Sequence, residues 1–211
     1  MAIRAVVFDI GGVLELTDPE GSAQVMQKWA ARWRLDPDEM SGRLAAIWER
    51  GAIGLITEAE VLPGIVAAIG SSEAETEEFL ADLWTDYLGT PNVELTAYFE
   101  GLHRRYLTGI VSNSFVGARE REAAVYRYPE MTDDIVYSHE CGLSKPDPQI
   151  YLLSCERLGV RPDEVVFLDD TAWAVTAAVE VGMHGVHLTS TAQAMAEIDA
   201  LLAAYPGGER A

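Results

Sequence analysis

Ala5-Val6-Val7-Phe8-Asp9-Ile10-Gly11-Gly12 is the stretch on which the fold depends. Four apolar residues in a row, with no polar alternation, describe a strand buried on both faces, as in a parallel sheet. The run stops at a carboxylate, and two glycines follow that permit a tight turn. A group in that position stands at the carboxyl end of a strand, where open parallel sheets bind their ligands.

Downstream the pattern changes. Over residues 20–87 apolar residues recur at helical spacing: Val25, Met26, Trp29 and Trp33, then Leu44, Ile47 and Trp48, then Phe79, Leu83, Trp84 and Tyr87. Pro37 can open a helix at its first turn, and Thr57-x-x-Glu60 has the form of a capping box. The spacing predicts an all-helical insert whose own core is packed by Trp29, Trp33 and Trp48. The acidic run 73–78 is expected to be a solvated helix face.

From Asn92 strands and helices alternate. Helices are expected over 95–104, 148–158, 172–181 and 192–204, and strands over 107–111, 135–137, 165–168 and 185–188. The end, PGGERA at 206–211, is expected to fray. This alternation predicts an α/β core with a parallel sheet, formed by 1–15 and 92–211, with a small helical domain at 16–91.

Composition narrows the function. Fifteen basic residues against 34 acidic ones give a net charge of −19 over 211 residues, which argues against nucleic acid and anionic membrane as partners. An anionic substrate stays possible, because one lysine or a metal ion inverts the field inside a pocket. Cys141 and Cys155 form no disulfide framework, so a reducing, cytoplasmic setting is expected. The opening MAIRAVVFD is too short and too soon charged for a signal peptide, and no run approaches the roughly 18–20 apolar residues of a membrane span. Monomer and homodimer are equally open.

Three expected strands end in polar groups: Asp9, Ser112-Asn113 and Asp169-Asp170. Lys145 lies in the loop GLSKPDP at 142–148. If those strands are neighbours, the groups meet in one crevice. Three carboxylates there repel one another, and a divalent cation removes that cost. Oxygen ligands suit Mg²⁺. Lys145 can hold a phosphoryl group or steady Asp9, Ser112 can donate its hydroxyl, and Asp9 can attack phosphorus as a carboxylate nucleophile. Taken singly, each of these residues reads as a turn, a cap or a surface group. Their joint order carries the signal. His103, His139, His184 and His187 show no metal-ligand spacing; His139, just before the Lys145 loop, is the one placed nearest the site.

That order resembles the haloacid dehalogenase superfamily, in the class with a helical cap. Phe8-Asp9-Ile10-Gly11-Gly12-Val13-Leu14 is similar to its first motif, Ser112-Asn113 to its second, GLSKPDPQIY at 142–151 to its third, and Phe167-Leu168-Asp169-Asp170 to its fourth. The resemblance implies a Rossmann-like three-layer core, a cap, Mg²⁺ and an aspartyl-enzyme intermediate on a small phosphorylated metabolite. It implies Asp9 as nucleophile and metal ligand, and Ser112 and Asn113 as phosphate-binding residues. Lys145 would orient phosphate and nucleophile. Asp169, Asp170 and the backbone carbonyl of Gly11 would complete the metal site.

Two positions depart from the pattern. Phosphatases of this superfamily usually carry a second Asp two residues after the first, as acid and base; here that residue is Gly11. Glu15 is the expected stand-in, with Asp18 close by. The alternatives are good leaving groups such as acyl or sugar-1-phosphates, or a phospholigand-binding or regulatory protein with little turnover. A dehalogenase-type C–X hydrolase is less favoured, since that branch prefers an aromatic residue at position 11. Four residues after Asp170, where related sequences often have Asn, stands Ala174, preceded by Trp173, which is expected to pack.

Overall fold

Ala5–Phe8 needs apolar cover on both sides, and it occupies the middle of the sheet. The computed structural model describes residues 2–18 and 20–208. In chain order, β1 (Ala5–Phe8) is followed by a two-residue strand β2 (Glu15–Leu16) and by the helices α1 (Gly21–Trp33), α2 (Pro37–Ala52), α3 (Glu58–Ile69) and α4 (Glu73–Leu88). A second short strand, β3 (Thr90–Pro91), precedes α5 (Val93–His103), β4 (Leu107–Ser112) and α6 (Ala118–Val125). Then come β5 (Asp134–Tyr137), α7 (Ser138–Cys141), α8 (Pro148–Leu158), β6 (Val165–Asp169), α9 (Ala172–Glu180), β7 (His184–His187) and α10 (Thr191–Ala204).

Five strands form a parallel sheet in the order β5-β4-β1-β6-β7. Side chains alternate across it. Val6 and Phe8 face the layer that holds Leu95 and Phe99 of α5 and Ile198 of α10. Ala5 and Val7 face the layer that holds Ile150 and Tyr151 of α8 and Ala174 and Ala178 of α9. The result is a three-layer, Rossmann-like α/β fold. Burying side chains such as Val6, Val7 and Phe8 stabilises it by roughly 1.5–3 kcal/mol for each of the larger ones.

The helices α1 to α4 enclose an apolar cluster of their own, with Trp29, Met40, Leu44, Val61, Ile65 and Phe79 buried in it. Trp33 and Trp48 pack on this cluster, partly buried. Asp36 caps α2 ahead of Pro37, and Glu60 closes a capping box on Thr57 N at 2.7 Å. The chain leaves for these helices along β2 and returns along β3, which pair antiparallel with Glu15 opposite Pro91.

Several boundaries differ from the sequence-based expectation. β6 runs one residue further and includes Asp169, β4 includes Ser112, and β7 begins at His184 and stops at His187. The helix α6 was not expected, because AREREAAV carries charge on every face and its buried positions are Ala118 and Glu122. Strands of two residues leave no periodic signal. Of the expected frayed end, residues 209–211 lie outside the described residues.

Candidate active site

Parallel pairing brings the ends of β1, β4 and β6 to one edge of the sheet. Phe8 is level with Ile110 on one side and Leu168 on the other. Asp9, Ser112 and Asp169 therefore leave the sheet together, and Asp9 N is bonded to Leu168 O at 2.9 Å. One oxygen from each of Asp9, Asp169 and Asp170 lies within 4.8 Å of the others.

Lys145 reaches in from the loop between α7 and α8. Its Nζ lies 2.7 Å from Asp9 Oδ1 and 2.6 Å from Asp169 Oδ2, and the residue is only 5% exposed. Burial alone would push the lysine down; the two carboxylates outweigh it and hold its pKa above the ordinary value. Asp9 is pushed up to about 6, first by burial, against the pull of Lys145 and with repulsion from Asp169. Asp170 is raised too, by burial and then by Asp169. Hard oxygen donors crowded to this degree fit a divalent cation such as Mg²⁺.

The turn after Asp9 is shaped for this crevice. Gly12 has φ +75°, and a Cβ there would meet Asp170 Oδ2 at 2.4 Å, so only glycine lets that carboxylate close. At Gly11 a Cβ would meet nothing within 4 Å. The absence of a side chain at position 11 is therefore not imposed by space.

Asn113 sits beside the crevice, but both ends of its amide are taken. Nδ2 donates to Lys145 O at 3.0 Å, and Oδ1 accepts from Lys145 N at 2.8 Å. Its side chain thus holds the loop that presents Lys145. Thr171, which the sequence did not single out, donates its backbone N–H to Asp169 Oδ1 at 2.8 Å and its hydroxyl to the same atom. Ser114 and Ser138 were also missed: Ser114 N donates to Ser138 Oγ at 2.8 Å, and that hydroxyl donates to Ala52 O at 2.7 Å. His139 is bound to Ser114 Oγ at 2.6 Å through Nδ1, which ties the same loop. Trp173 is not packed in the core; it is 50% exposed, while Ala174 is buried.

Glu15, the expected stand-in acid, is buried. It turns inward, 1% exposed, and accepts the Tyr128 hydroxyl at 3.1 Å. Burial, then repulsion from Glu122, pushes its carboxyl up to about 9, so it is neutral at pH 7 and shut away from solvent. Glu122 is buried beside it, accepts the hydroxyls of Tyr87 and Tyr137, and is pushed by burial up to about 7. Asp18 is exposed and takes the N–H of Glu20 at 2.9 Å.

The Glu15 environment has a consequence for stability. An unfolded Glu ionises near 4.5 and the folded one near 9. Its contribution is complete below the lower value and is lost as pH rises toward the upper one, by up to about 1.4 kcal/mol per pH unit. In Glu15→Gln that loss disappears. Urea unfolding at pH 5.5 and at pH 8 should show the variant gaining on wild type by on the order of 2–3 kcal/mol across the interval, and a gap independent of pH would contradict a neutral Glu15.

Residues 3–182 match the haloacid dehalogenase-like hydrolases, and the chain belongs to that family. It is 26% identical over 212 residues to the phosphorylated carbohydrates phosphatase of Thermotoga maritima, covering 97% of this chain and 95% of that protein. It is also 26% identical over 213 residues to acyl-CoA dehydrogenase family member 10 of Mus musculus, covering 94% of this chain but 19% of that relative's length. The chain spans 39% of the rat and mouse bifunctional epoxide hydrolase 2. Haloacid dehalogenases are matched as well. A HAD family enzyme of Bacteroides thetaiotaomicron, solved with magnesium and inorganic phosphate, shares the fold with a TM-score of 0.74 at 23% identity, over 88% of this chain and 93% of that one. No helix among the described residues is long and apolar enough to cross a membrane.

Proposed function

We propose that this hydrolase is a Mg²⁺-dependent phosphatase of a small phosphorylated metabolite, acting through an aspartyl-phosphate on Asp9. The observation that carries the reading is the pairing of Asp9 with the buried Lys145 inside a cluster of three carboxylates. Asp9 Oδ forms a bond to phosphorus as the bond to the leaving oxygen breaks, and water then releases phosphate from the acyl phosphate. Lys145 balances the charge of Asp9 and would balance that of the phosphoryl oxygens, while Ser112 and Asn113 stand at the end of β4, on the same edge of the sheet. Asp9, Asp169, Asp170 and the Gly11 carbonyl would hold Mg²⁺, which when bound offsets phosphoryl charge. Residues 16–91 are assigned as a cap over a catalytic core of 1–15 and 92–211; the separate apolar cluster and the β2–β3 ribbon support that division. Two free thiols agree with a cytoplasmic setting.

Gly11 favours a second reading, a phospholigand-binding protein with little turnover, because Glu15, the expected stand-in for the missing acid, is buried against Tyr128. A positioned acid or base contributes roughly 10²–10⁴ in rate. Good leaving groups, such as acyl or sugar-1-phosphates, lose least from its absence. Space at position 11 makes Gly11→Asp the deciding variant. Assayed for phosphate release over a panel of phosphometabolites, it should gain at least tenfold on esters with poor leaving groups and little on acyl phosphates. Release by neither protein, together with Mg²⁺-dependent thermal stabilisation by phosphorylated ligands, would establish the binding reading instead.

A further inference from the structure

A cavity of about 1090 Å³ lies among α1 to α4 and the segment that follows β4. That volume exceeds what most small-molecule sites need. Met26, Trp48, Leu62, Leu80, Trp84 and Phe115 form its apolar wall. The ring of Phe115 lies tight over Gly51, where a Cβ would meet it at 2.1 Å.

Three of the polar groups on this wall are already committed. Arg121 is paired with Glu58 at 2.6 Å, donates to Gly117 O at 2.9 Å and lies 4.1 Å over the Trp84 ring. The Tyr87 hydroxyl is given to Glu122, and the Ser22 hydroxyl to Asp86 at 2.5 Å. Glu77, also on the wall, is acidic. A second phosphate or a carboxylate would find no free cation here and would face Glu58 and Glu77.

The cavity wall is tied to the segment that follows β4. Phe115 is three residues beyond Ser112, so the two are separated by at most roughly 11 Å of extended chain. The wall residue Ala52 is bonded through Ser138 to Ser114, two residues from Ser112.

We infer that the cavity takes the uncharged, apolar body of a monophosphate whose phosphoryl group sits at Asp9 and Lys145. The inference rests on the phosphatase reading and deepens it. The leaving group then carries an extended alkyl or aryl part.

Acetyl, butyryl and octanoyl phosphate test it with Mg²⁺, since their leaving groups need no acid at position 11. Each methylene moved from water into the cavity is worth roughly fourfold in affinity. KM is expected to fall at least thirtyfold from acetyl to octanoyl phosphate with kcat within a few fold. Ala81→Trp and Ala59→Trp, which fill the cavity from two different helices, should each cut that octanoyl-to-acetyl ratio at least tenfold. A flat series in wild type, or a ratio that both variants keep, would overturn the inference while leaving phosphatase activity standing. Calorimetry with octylphosphonate separates the two claims. Binding that inorganic phosphate displaces and that both variants weaken, in a protein that hydrolyses none of the three substrates, would uphold the cavity and sink the phosphatase reading. Octylphosphonate bound but not displaced by phosphate would place the chain elsewhere and overturn the inference.

Discussion

On the proposed reading, Asp9→Asn is expected to abolish Mg²⁺-dependent phosphate release, by on the order of 10⁴-fold or more, the scale on which loss of a covalent nucleophile acts. Asparagine keeps the shape of the side chain and an oxygen that Lys145 Nζ can still approach. It lacks the anionic oxygen that bonds phosphorus. Asp9 is already burdened by burial and by Asp169, so the neutral amide relieves strain within the carboxylate cluster. The variant is therefore expected to be at least as stable as wild type at pH 8 in the presence of EDTA. Lost activity in a protein of undiminished stability isolates the chemistry from folding. Phosphate release retained in Asp9→Asn would remove the aspartyl-phosphate route altogether.

Lys145→Met is expected to have the second large effect, on stability as well as on rate. The Nζ touches Asp9 and Asp169 at 2.7 and 2.6 Å, and Asp169 is 0% exposed. Removing the cation leaves buried carboxylates uncompensated, a situation that costs about 3–5 kcal/mol. Methionine fills the space of the stem but carries no charge. In metal-free buffer the variant should unfold at clearly lower urea concentration than wild type. Mg²⁺ stabilises whichever state binds it, and it should stabilise the variant more than the wild type, because it then supplies the only positive charge in the cluster. Turnover with saturating Mg²⁺ is expected to fall roughly 10²–10³-fold, as when one oxyanion-stabilising donor is removed. Equal stability of the two proteins in EDTA would show that Lys145 does not balance the cluster.

Much of the site was legible because its signals are local. Asp9 ends an uninterrupted apolar run, and Asp169-Asp170 ends another, so both residues announce a strand end without any partner in view. Helix starts were legible for the same reason: Asp36-Pro37 and Thr57 to Glu60 act within four residues. Asn113 shows where locality stops. The sequence marks it as a polar residue beyond a strand, and its resemblance implied phosphate. Its amide grips the backbone of Lys145, 32 residues away, a contact no local pattern signals. Thr171, Ser114 and Ser138 were missed because a hydroxyl beside a motif reads as an ordinary loop residue until its partner is known.

Glu15 and Glu122 mark the same limit from the other side. Glu15 read as a candidate acid beside Asp9, and nothing in AREREAAV marked Glu122 as buried. In the folded chain Glu15 meets Tyr128 across 113 residues, and Glu122 meets Tyr87 and Tyr137. The apolar cavity depends likewise on four helices and Phe115 together.

The amino-acid sequence by itself determined the α/β alternation, the helical segment, and the identity and order of Asp9, Lys145, Asp169 and Asp170, since each rests on periodicity or on residues adjacent in the chain. Tertiary structure alone decided which carboxylates face the crevice and which are sealed in the core, that the Asn113 amide holds the Lys145 backbone, and that a large apolar space forms among the helices α1 to α4. Those outcomes depend on burial and on hydrogen bonds between distant segments, and a carboxylate has the same local pattern in water as in the interior.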